Sequence, residues 1–102
     1  MPRSHDVLER ALRAVSEQAA AADALVHEAL EAGLGASHSV TLHAKMLRLE
    51  LLNVKGDLER ELDQLVLDCS SCGRRVRWVA GLGVEPGHWA HRQPAPHNEP
   101  VV

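Results

Sequence analysis

The most informative pattern in the chain is Cys69-Ser-Ser-Cys72-Gly73, followed later by His88-Trp-Ala-His91. Two cysteines separated by two residues and followed by glycine favour a tight turn that points both sulfurs at one metal ion. The full spacing, Cys-x2-Cys-x15-His-x2-His, leaves enough chain for a hairpin whose ends meet. Thiolate and imidazole ligands that fill all four positions suit structural, tetrahedral Zn²⁺ and disfavour catalysis at the metal. The predicted ligands are Cys69, Cys72, His88 and His91.

Three other interpretations of these residues stay open at this point. The cysteines are a reduced pair beside surface histidines, or they form a redox-active dithiol. The dithiol interpretation lacks the thioredoxin-like strand and helix that usually surround such a motif. Within the zinc interpretation, His97 is an alternative ligand in place of His88 or His91.

The residues between the two ligand pairs predict a β-hairpin. The segment Arg75-Val-Arg-Trp-Val79 alternates between charged and apolar side chains, which is typical of a strand with one buried face. Glycines and a proline then supply the turn: Gly81, Gly83, Pro86 and Gly87. We therefore expect a zinc ribbon over residues 69–92 and a disordered tail over residues 93–102, which contain three prolines.

The chain before the cysteines predicts two long helices. Apolar residues recur there at alternating steps of four and three, the spacing of a coiled-coil seam. The first seam consists of Leu8, Leu12, Val15, Ala19, Ala22, Val26 and Ala29. The second consists of Val40, Ala44, Leu47, Leu51, Val54, Leu58, Leu62 and Leu65. Gly33 and Gly35 end the first helix, and the short connection requires the second helix, over about residues 39–68, to run antiparallel to the first, over about residues 5–32.

The predicted fold is therefore mainly α, with an antiparallel, coiled-coil-like two-helix hairpin over residues 1–68 followed by a small zinc-ribbon β-hairpin. The chain has 102 residues and contains neither Phe nor Tyr, so the helical part can bury only a modest core. Small domains of this kind are usually supplemented by a metal ion or by a partner.

Helix 2 also carries apolar residues outside its seam, which make its first half apolar around most of its circumference. A two-helix hairpin cannot cover so much surface, and a large exposed apolar patch usually marks an interface. We expect either a homodimer or a complex with a different protein. The predicted partner-binding residues are Met46, Leu49 and Leu52.

The charge distribution leaves room for a second hypothesis, which is nucleic-acid binding. The whole chain has a net charge of −3, which argues against indiscriminate binding to phosphate. The four arginines of the last third nevertheless exceed its two glutamates. In this hypothesis the arginines contact phosphate and a tryptophan stacks on a base. The candidate residues are Arg74, Arg75, Arg77, Trp78 and Trp89.

Other function classes receive no support from the sequence. No stretch approaches the length of a membrane span or of a secretory signal, and two cysteines do not make a disulfide framework. We therefore expect a cytoplasmic protein with no membrane contact. No constellation of catalytic residues or phosphate-binding glycine loop is present, so we expect neither an enzyme nor a small-molecule substrate.

Residues 69–92 resemble the short zinc-finger module of CoiA-like competence proteins. The resemblance rests on Cys69-Ser-Ser-Cys72-Gly-Arg-Arg-Val76, on Gly81, and on the ending His88-Trp-Ala-His91-Arg92. It implies that the two cysteines and two histidines are the zinc ligands and that Trp89 packs where the aromatic residue of the module packs. It covers about a quarter of the chain and implies the zinc module alone, not the nuclease activity of those proteins.

The layout of a helical hairpin that leads into a zinc finger is similar to that of the DksA/TraR group, which act in the secondary channel of RNA polymerase. The likeness is one of layout, because those proteins generally use four cysteines and an acidic hairpin tip. The tip of this hairpin, residues 33–39, has no carboxylate. The two resemblances together imply a regulatory protein that contacts transcription or DNA-processing machinery.

Overall fold

The computed structural model describes residues 3–92 and 100–102, which form two long helices followed by a small antiparallel sheet. The helices are α1 (Ser4–Glu31) and α2 (Ser39–Gln64), and the strands are β1 (Leu67–Asp68), β2 (Arg75–Val79) and β3 (His88–His91). The molecule is elongated, with extents of 54 × 28 × 18 Å. The predicted fold class, mainly α with a helical hairpin and a small β region, is confirmed.

The turn between the helices is closed by a glycine in a left-handed conformation. Gly33 has φ +89°, a value that side chains with a Cβ rarely adopt. The N–H of Leu34 donates to the carbonyl of Ala29 at 3.0 Å, and the N–H of Gly33 donates to Leu30 at 3.1 Å. These two hydrogen bonds are those of a Schellman motif, which ends α1 and reverses the chain.

The seam of α1 faces α2 as predicted. Its middle consists of small residues, so the two helix backbones approach closely. An ion pair between Asp23 and Arg48, at 2.7 Å, crosses from one helix to the other. Within residues 3–92 and 100–102, neither helix is long and apolar enough to cross a membrane. The buried residues of α1 are His5, Leu12, Ser16, Ala19, Ala22, Val26 and Ala29.

The seam predicted for α2 is wrong in part, because the helix is rotated relative to that prediction. Val40, Leu47 and Val54 remain 43%, 49% and 45% exposed. Ala44 and Leu62 are buried as predicted, but the other three buried positions each lie one residue after a predicted one, and two of these three are charged. The rotation follows from a second contact of α2, since one of its sides must pack against the sheet. The buried residues of α2 are Thr41, Ala44, Lys55, Glu59 and Leu62.

The sheet has three strands in the order β1-β2-β3, one strand more than the predicted hairpin. The extra strand arises because α2 ends at Gln64 and not near residue 68. Leu67 then pairs with Val76 of β2, and Trp78 of β2 pairs with Trp89 of β3.

The sheet packs against the end of the hairpin where α1 begins and α2 ends. One core joins the helices to the sheet, and it consists of Leu12, Leu62, Cys69, Val76, Trp78 and Trp89. The last residues of the chain, predicted as tail, also reach this region. The backbone N–H of Ser70 donates to the carbonyl of Val101 at 2.6 Å. Residues 93–99, the rest of the predicted tail, lie outside the described residues.

Candidate metal centre

The structure brings three of the four predicted ligands together. The ligand atoms of Cys69, Cys72 and His91 all lie within 4.8 Å of one another. The cysteines belong to the turn between β1 and β2, and His91 ends β3. Because Val76 pairs with His91 across the sheet, the β2–β3 register sets the imidazole beside the cysteine turn. These residues are distant in sequence, so only the closed sheet makes them neighbours.

Glycine allows the cysteine turn to close. Gly73 has φ +72°, in the left-handed region that L side chains rarely adopt. Its N–H donates to the carbonyl of Cys69 at 2.7 Å, and the N–H of Cys69 donates to the carbonyl of Arg74 at 2.8 Å. The turn therefore curls around the sulfurs, as the Cys-x-x-Cys-Gly pattern predicted.

The turn and the chain end direct hydrogen bonds at Cys69. The backbone N–H of Val101 donates to its Sγ at 3.4 Å. Burial by itself raises the pKa of the Cys69 thiol. Hydrogen bonds from Val101 and His91, together with backbone N–H groups of the turn, outweigh burial and lower that pKa to about 5. The thiolate, which is the form that binds metal, therefore predominates at neutral pH.

The geometry fits a tetrahedral metal ion. Bond lengths of about 2.3 Å to sulfur and about 2.0 Å to nitrogen place two such ligands about 3.5 Å apart in a tetrahedron. The distance from Cys72 Sγ to His91 Nε2 is 3.5 Å. Two thiolates and an imidazole can therefore bind one ion here, and a structural site of this type needs one further ligand.

His88 is not part of this group among the described residues. Strand residues alternate between the two faces of a sheet, so His88 and His91, three positions apart on β3, lie on opposite faces. The side chain of His88 is exposed, and its strand partner is Val79. His97, the alternative ligand named from the sequence, lies outside the described residues.

A buried carboxylate that the sequence did not single out holds the sheet against α2. Glu59 accepts hydrogen bonds from Trp78 Nε1 at 3.0 Å and from the N–H of Gly81 at 2.8 Å. Lys55, one helical turn earlier, pairs with the same carboxylate and donates to the carbonyl of Gly81 at 3.1 Å. Both charged side chains are about 4–5% exposed. The loop after β2 is thus fixed to α2 by a fully paired polar cluster.

The contacts of Glu59 also set its charge. Burial raises the pKa of this carboxyl group, but hydrogen bonds from Lys55, Trp78 and Gly81 lower it by more, aided by the positive charge of Lys55. The pKa of Glu59 therefore lies below its ordinary value.

The loop after β2 also packs closely around Gly87. A Cβ on Gly87 would lie 1.9 Å from the carbonyl of Val79, so only glycine fits there.

The two tryptophans belong to the core and are not placed to stack on a base. Trp78 is 6% exposed and Trp89 is 9% exposed, and their rings meet edge to face at 5.1 Å. Trp89 Nε1 donates a hydrogen bond to Glu9 of α1, and Trp78 Nε1 donates one to Glu59 of α2. The structure therefore gives no support to the tryptophan-stacking part of the nucleic-acid hypothesis, which stays a prediction.

The arginines of that hypothesis do lie at the surface. Arg74, Arg75 and Arg77 are all exposed. Arg75 pairs with Asp68 of the neighbouring strand, with 2.9 Å between Arg75 Nε and Asp68 Oδ1. Charge alone remains in support of nucleic-acid binding.

A second group of metal-ligating side chains lies at the start of α1 and consists of His5, Asp6 and Glu9. Each of these side chains already has a partner within the protein. His5 Nε2 is 3.3 Å from Asp6 Oδ1, and Glu9 accepts the hydrogen bond from Trp89. We interpret the group as a polar cap on the contact between α1 and the sheet.

The predicted partner-binding residues divide into exposed and covered members. Met46 and Leu49 are 59% and 61% exposed, and the neighbouring Leu42 is 44% exposed. Leu52 is half-buried and lines the cleft between α2 and the loop after β2. The exposed surface made by Leu42, Met46 and Leu49 is called the lateral patch below.

Comparisons with known protein families, with curated proteins and with solved structures found no match for this chain.

Proposed function

We propose that this is a non-enzymatic, zinc-stabilised interaction protein whose helical hairpin binds another protein through the lateral patch. The observation that carries the proposal is the exposure of Met46 and Leu49, at 59% and 61%, beside Leu42. Three large apolar side chains on adjacent turns of one helix form a contiguous surface of the kind that marks an interface. An amphipathic helix of the partner, laid along α2, is the ligand that such a ridge suits.

The metal in this proposal is Zn²⁺ with a structural role. Two thiolates and an imidazole are its preferred ligand types, and the 3.5 Å between Cys72 Sγ and His91 Nε2 supports a tetrahedral ion. Binding of the ion ties the cysteine turn to β3. The sheet in turn holds α2 through Glu59, so metal binding stabilises the helix that presents the lateral patch. In a reducing cytoplasm the thiolates remain available for the metal.

Native mass spectrometry with and without a chelator tests the metal. We expect one zinc ion per chain, which the chelator removes with the release of two thiols, and no bound zinc in the Cys72→Ala variant. His88→Ala and His97→Ala, compared in parallel, identify the fourth ligand as the histidine whose removal lowers the zinc affinity. Native protein with two free thiols and no metal, after expression in zinc-containing medium, would contradict the proposal.

The nature of the partner rests on resemblance alone. The zinc module resembles that of CoiA-like competence proteins, and the overall layout is similar to the DksA/TraR group. On that basis we propose a regulatory protein that contacts transcription or DNA-processing machinery. Its hairpin tip lacks the carboxylates of the DksA/TraR group, so its contacts must differ from theirs.

Affinity capture from extracts of the source cell separates protein binding from nucleic-acid binding. Leu49→Glu places a charge in the lateral patch and should abolish capture of the partner. The matched control is Arg75→Ala with Arg77→Ala, which removes two exposed charges and should leave capture unchanged. Capture that survives Leu49→Glu, but is lost in the arginine variant or after nuclease treatment, would favour nucleic-acid binding.

A further inference from the structure

The hairpin has a second apolar surface, which lies on the side opposite the sheet. Each helix uses one side to face the other helix and one side to face the sheet. On α2 the sheet side contains Gly56 and Glu59, and on α1 it contains Glu9 and Arg13. The side of each helix that points away from the sheet has no neighbour among the described residues, and these two sides together form one continuous face.

On α2 this face consists of Val40, Leu47 and Val54, which recur every seven residues. They are 43%, 49% and 45% exposed. These residues belong to the predicted seam, and the rotation of α2 turns them away from α1. A seven-residue apolar repeat on an exposed helix side is the pattern of a seam that packs against another helix.

On α1 the same face has its own repeat, with one polar member. Ala11, Gln18 and Leu25 recur every seven residues, flanked by Val7 and Ala14. Val7 and Leu25 are 47% and 43% exposed. We call this surface, made by both helices, the heptad face.

We propose that the heptad face binds a second copy of this chain to form a four-helix bundle. In the dimer α1 of each copy lies beside α2 of the other, and both hairpins point the same way. The apolar side chains of α2 then face the apolar side chains of α1 of the other copy, so one face serves both copies. Because Asp23 lies level with Arg48 within the hairpin, Leu47 of one copy lies level with Leu25 of the other.

The charges beside the heptad face match in this arrangement. Glu61 lies thirteen residues after Arg48, and Arg10 lies thirteen residues before Asp23, so Arg10 of one copy faces Glu61 of the other. Both side chains are exposed, and the structure gives neither an ion-pair partner among residues 3–92 and 100–102. The two copies are related by a twofold axis, so the dimer contains this pair twice. The pair favours contact of α1 with α2 over contact of α1 with α1 or of α2 with α2.

The size of the face also suits a dimer. Two adjacent helices about 10 Å wide and about 40 Å long present a face of about 800 Å² per copy. Specific interfaces bury about 800 Å² on each partner. The heptad face and the lateral patch lie on different sides of α2, so a dimer leaves the lateral patch free for the partner.

Sedimentation equilibrium of the full, zinc-loaded chain tests the dimer. We expect the wild type to sediment as a dimer and Leu47→Glu as a monomer with unchanged helix content by circular dichroism. Leu49→Glu is the matched control, two residues away in the lateral patch, and it should remain dimeric. A monomeric wild type at all concentrations would overturn the proposal, and so would dissociation by Leu49→Glu but not by Leu47→Glu.

A charge exchange provides a second test at exposed positions that do not endanger the fold. Arg10→Glu or Glu61→Arg alone should weaken dimerisation about tenfold, since each dimer contains the pair twice. The double variant should restore wild-type affinity. Additive weakening in the double variant would overturn the proposed arrangement. Loss of partner capture in Leu49→Glu with an intact dimer shows that the two surfaces act separately, so either proposal can fail alone.

Discussion

The two ends of the hairpin are held together by different physical means. At the end that carries the sheet, order depends on polar groups: three side chains placed to bind one metal ion, a buried Lys55–Glu59 pair and two tryptophan N–H donors. At the end near the connection, α1 and α2 meet through alanines such as Ala22, Ala29 and Ala44, and the ion pair between Asp23 and Arg48 bridges the helices. The interactions at the sheet end therefore depend on metal and on pH. The other end relies on close packing of one helix backbone against the other.

The largest expected effect is the loss of metal. Chelation, or Cys72→Ala, should disorder the sheet, because structural zinc contributes about 10–16 kcal/mol of apparent binding free energy in small zinc domains. Trp78 and Trp89 are the only tryptophans and both lie in the sheet, so their fluorescence reports that end alone. We expect a red shift of tryptophan emission while most of the far-ultraviolet helical signal persists. Loss of both signals in one transition would show that the ends are not independent.

The next effect is the cost of breaking the buried pair. Glu59→Ala leaves Lys55 charged and unpaired in the interior, which should cost about 3–5 kcal/mol in the free energy of unfolding. Urea denaturation measures it. The matched control is Arg60→Ala, which removes an exposed ion pair with Asp57 and should change stability by less than about 1 kcal/mol. Equal effects for the two variants would refute the role given to Glu59.

The same carboxylate predicts a dependence on pH. Its folded-state pKa lies below the ordinary value, so its stabilisation is fully present above an unfolded pKa of about 4.3. That stabilisation is lost as the pH falls through the lower, folded-state pKa. Glu59→Gln removes the charge at all pH values, so at neutral pH it should already show the destabilisation that acid produces in the wild type.

Gly87 lies at a crowded position of the backbone, whereas Gly56 lies at an open one. A Cβ at Gly87 would lie 1.9 Å from the carbonyl of Val79, so Gly87→Ala should destabilise the sheet end by about 1–3 kcal/mol. Thermal denaturation followed by tryptophan fluorescence measures that loss. A loss below about 0.5 kcal/mol would indicate that the loop moves away from Glu59 at little cost.

The smallest expected effect is a gain in stability. A Cβ at Gly56, within α2, meets nothing within 4 Å, so Gly56→Ala should stabilise the helix by about 1 kcal/mol. The midpoint of urea unfolding should rise with an unchanged slope. Destabilisation by Gly56→Ala would mean that the cleft beside α2 is occupied in solution.

Much of the fold could be predicted from local pattern. The heptad spacing of α1 identifies its buried side because this helix packs mainly against α2, and Gly33 marks the reversal of the chain by its left-handed conformation. The prediction for α2 fails at Val40 and Leu47 for the opposite reason. That helix has apolar residues on several sides and packs against both α1 and the sheet. Periodicity alone does not show which of these apolar sides is buried.

The candidate metal centre was also predicted only in part from the sequence. The Cys-x-x-Cys-Gly turn is local, and the sequence identified it together with His91. His88 was chosen by spacing and by resemblance, and the alternation of β3 places it on the other face of the sheet from His91. Lys55 and Glu59 gave no signal of burial, since a Lys–Glu pair one turn apart is common on exposed helices.

The sequence by itself determined the elements of this protein, because helix periodicity, glycine turns and cysteine spacing act over a few neighbouring residues. Only the tertiary structure decided which side of α2 is buried, which histidine meets the cysteines and which carboxylate enters the core. Those outcomes depend on contacts between segments that are far apart in the chain. Lys55 shows the reason, since its charge is tolerated in the interior only where Glu59 and the loop after β2 arrive together to pair with it.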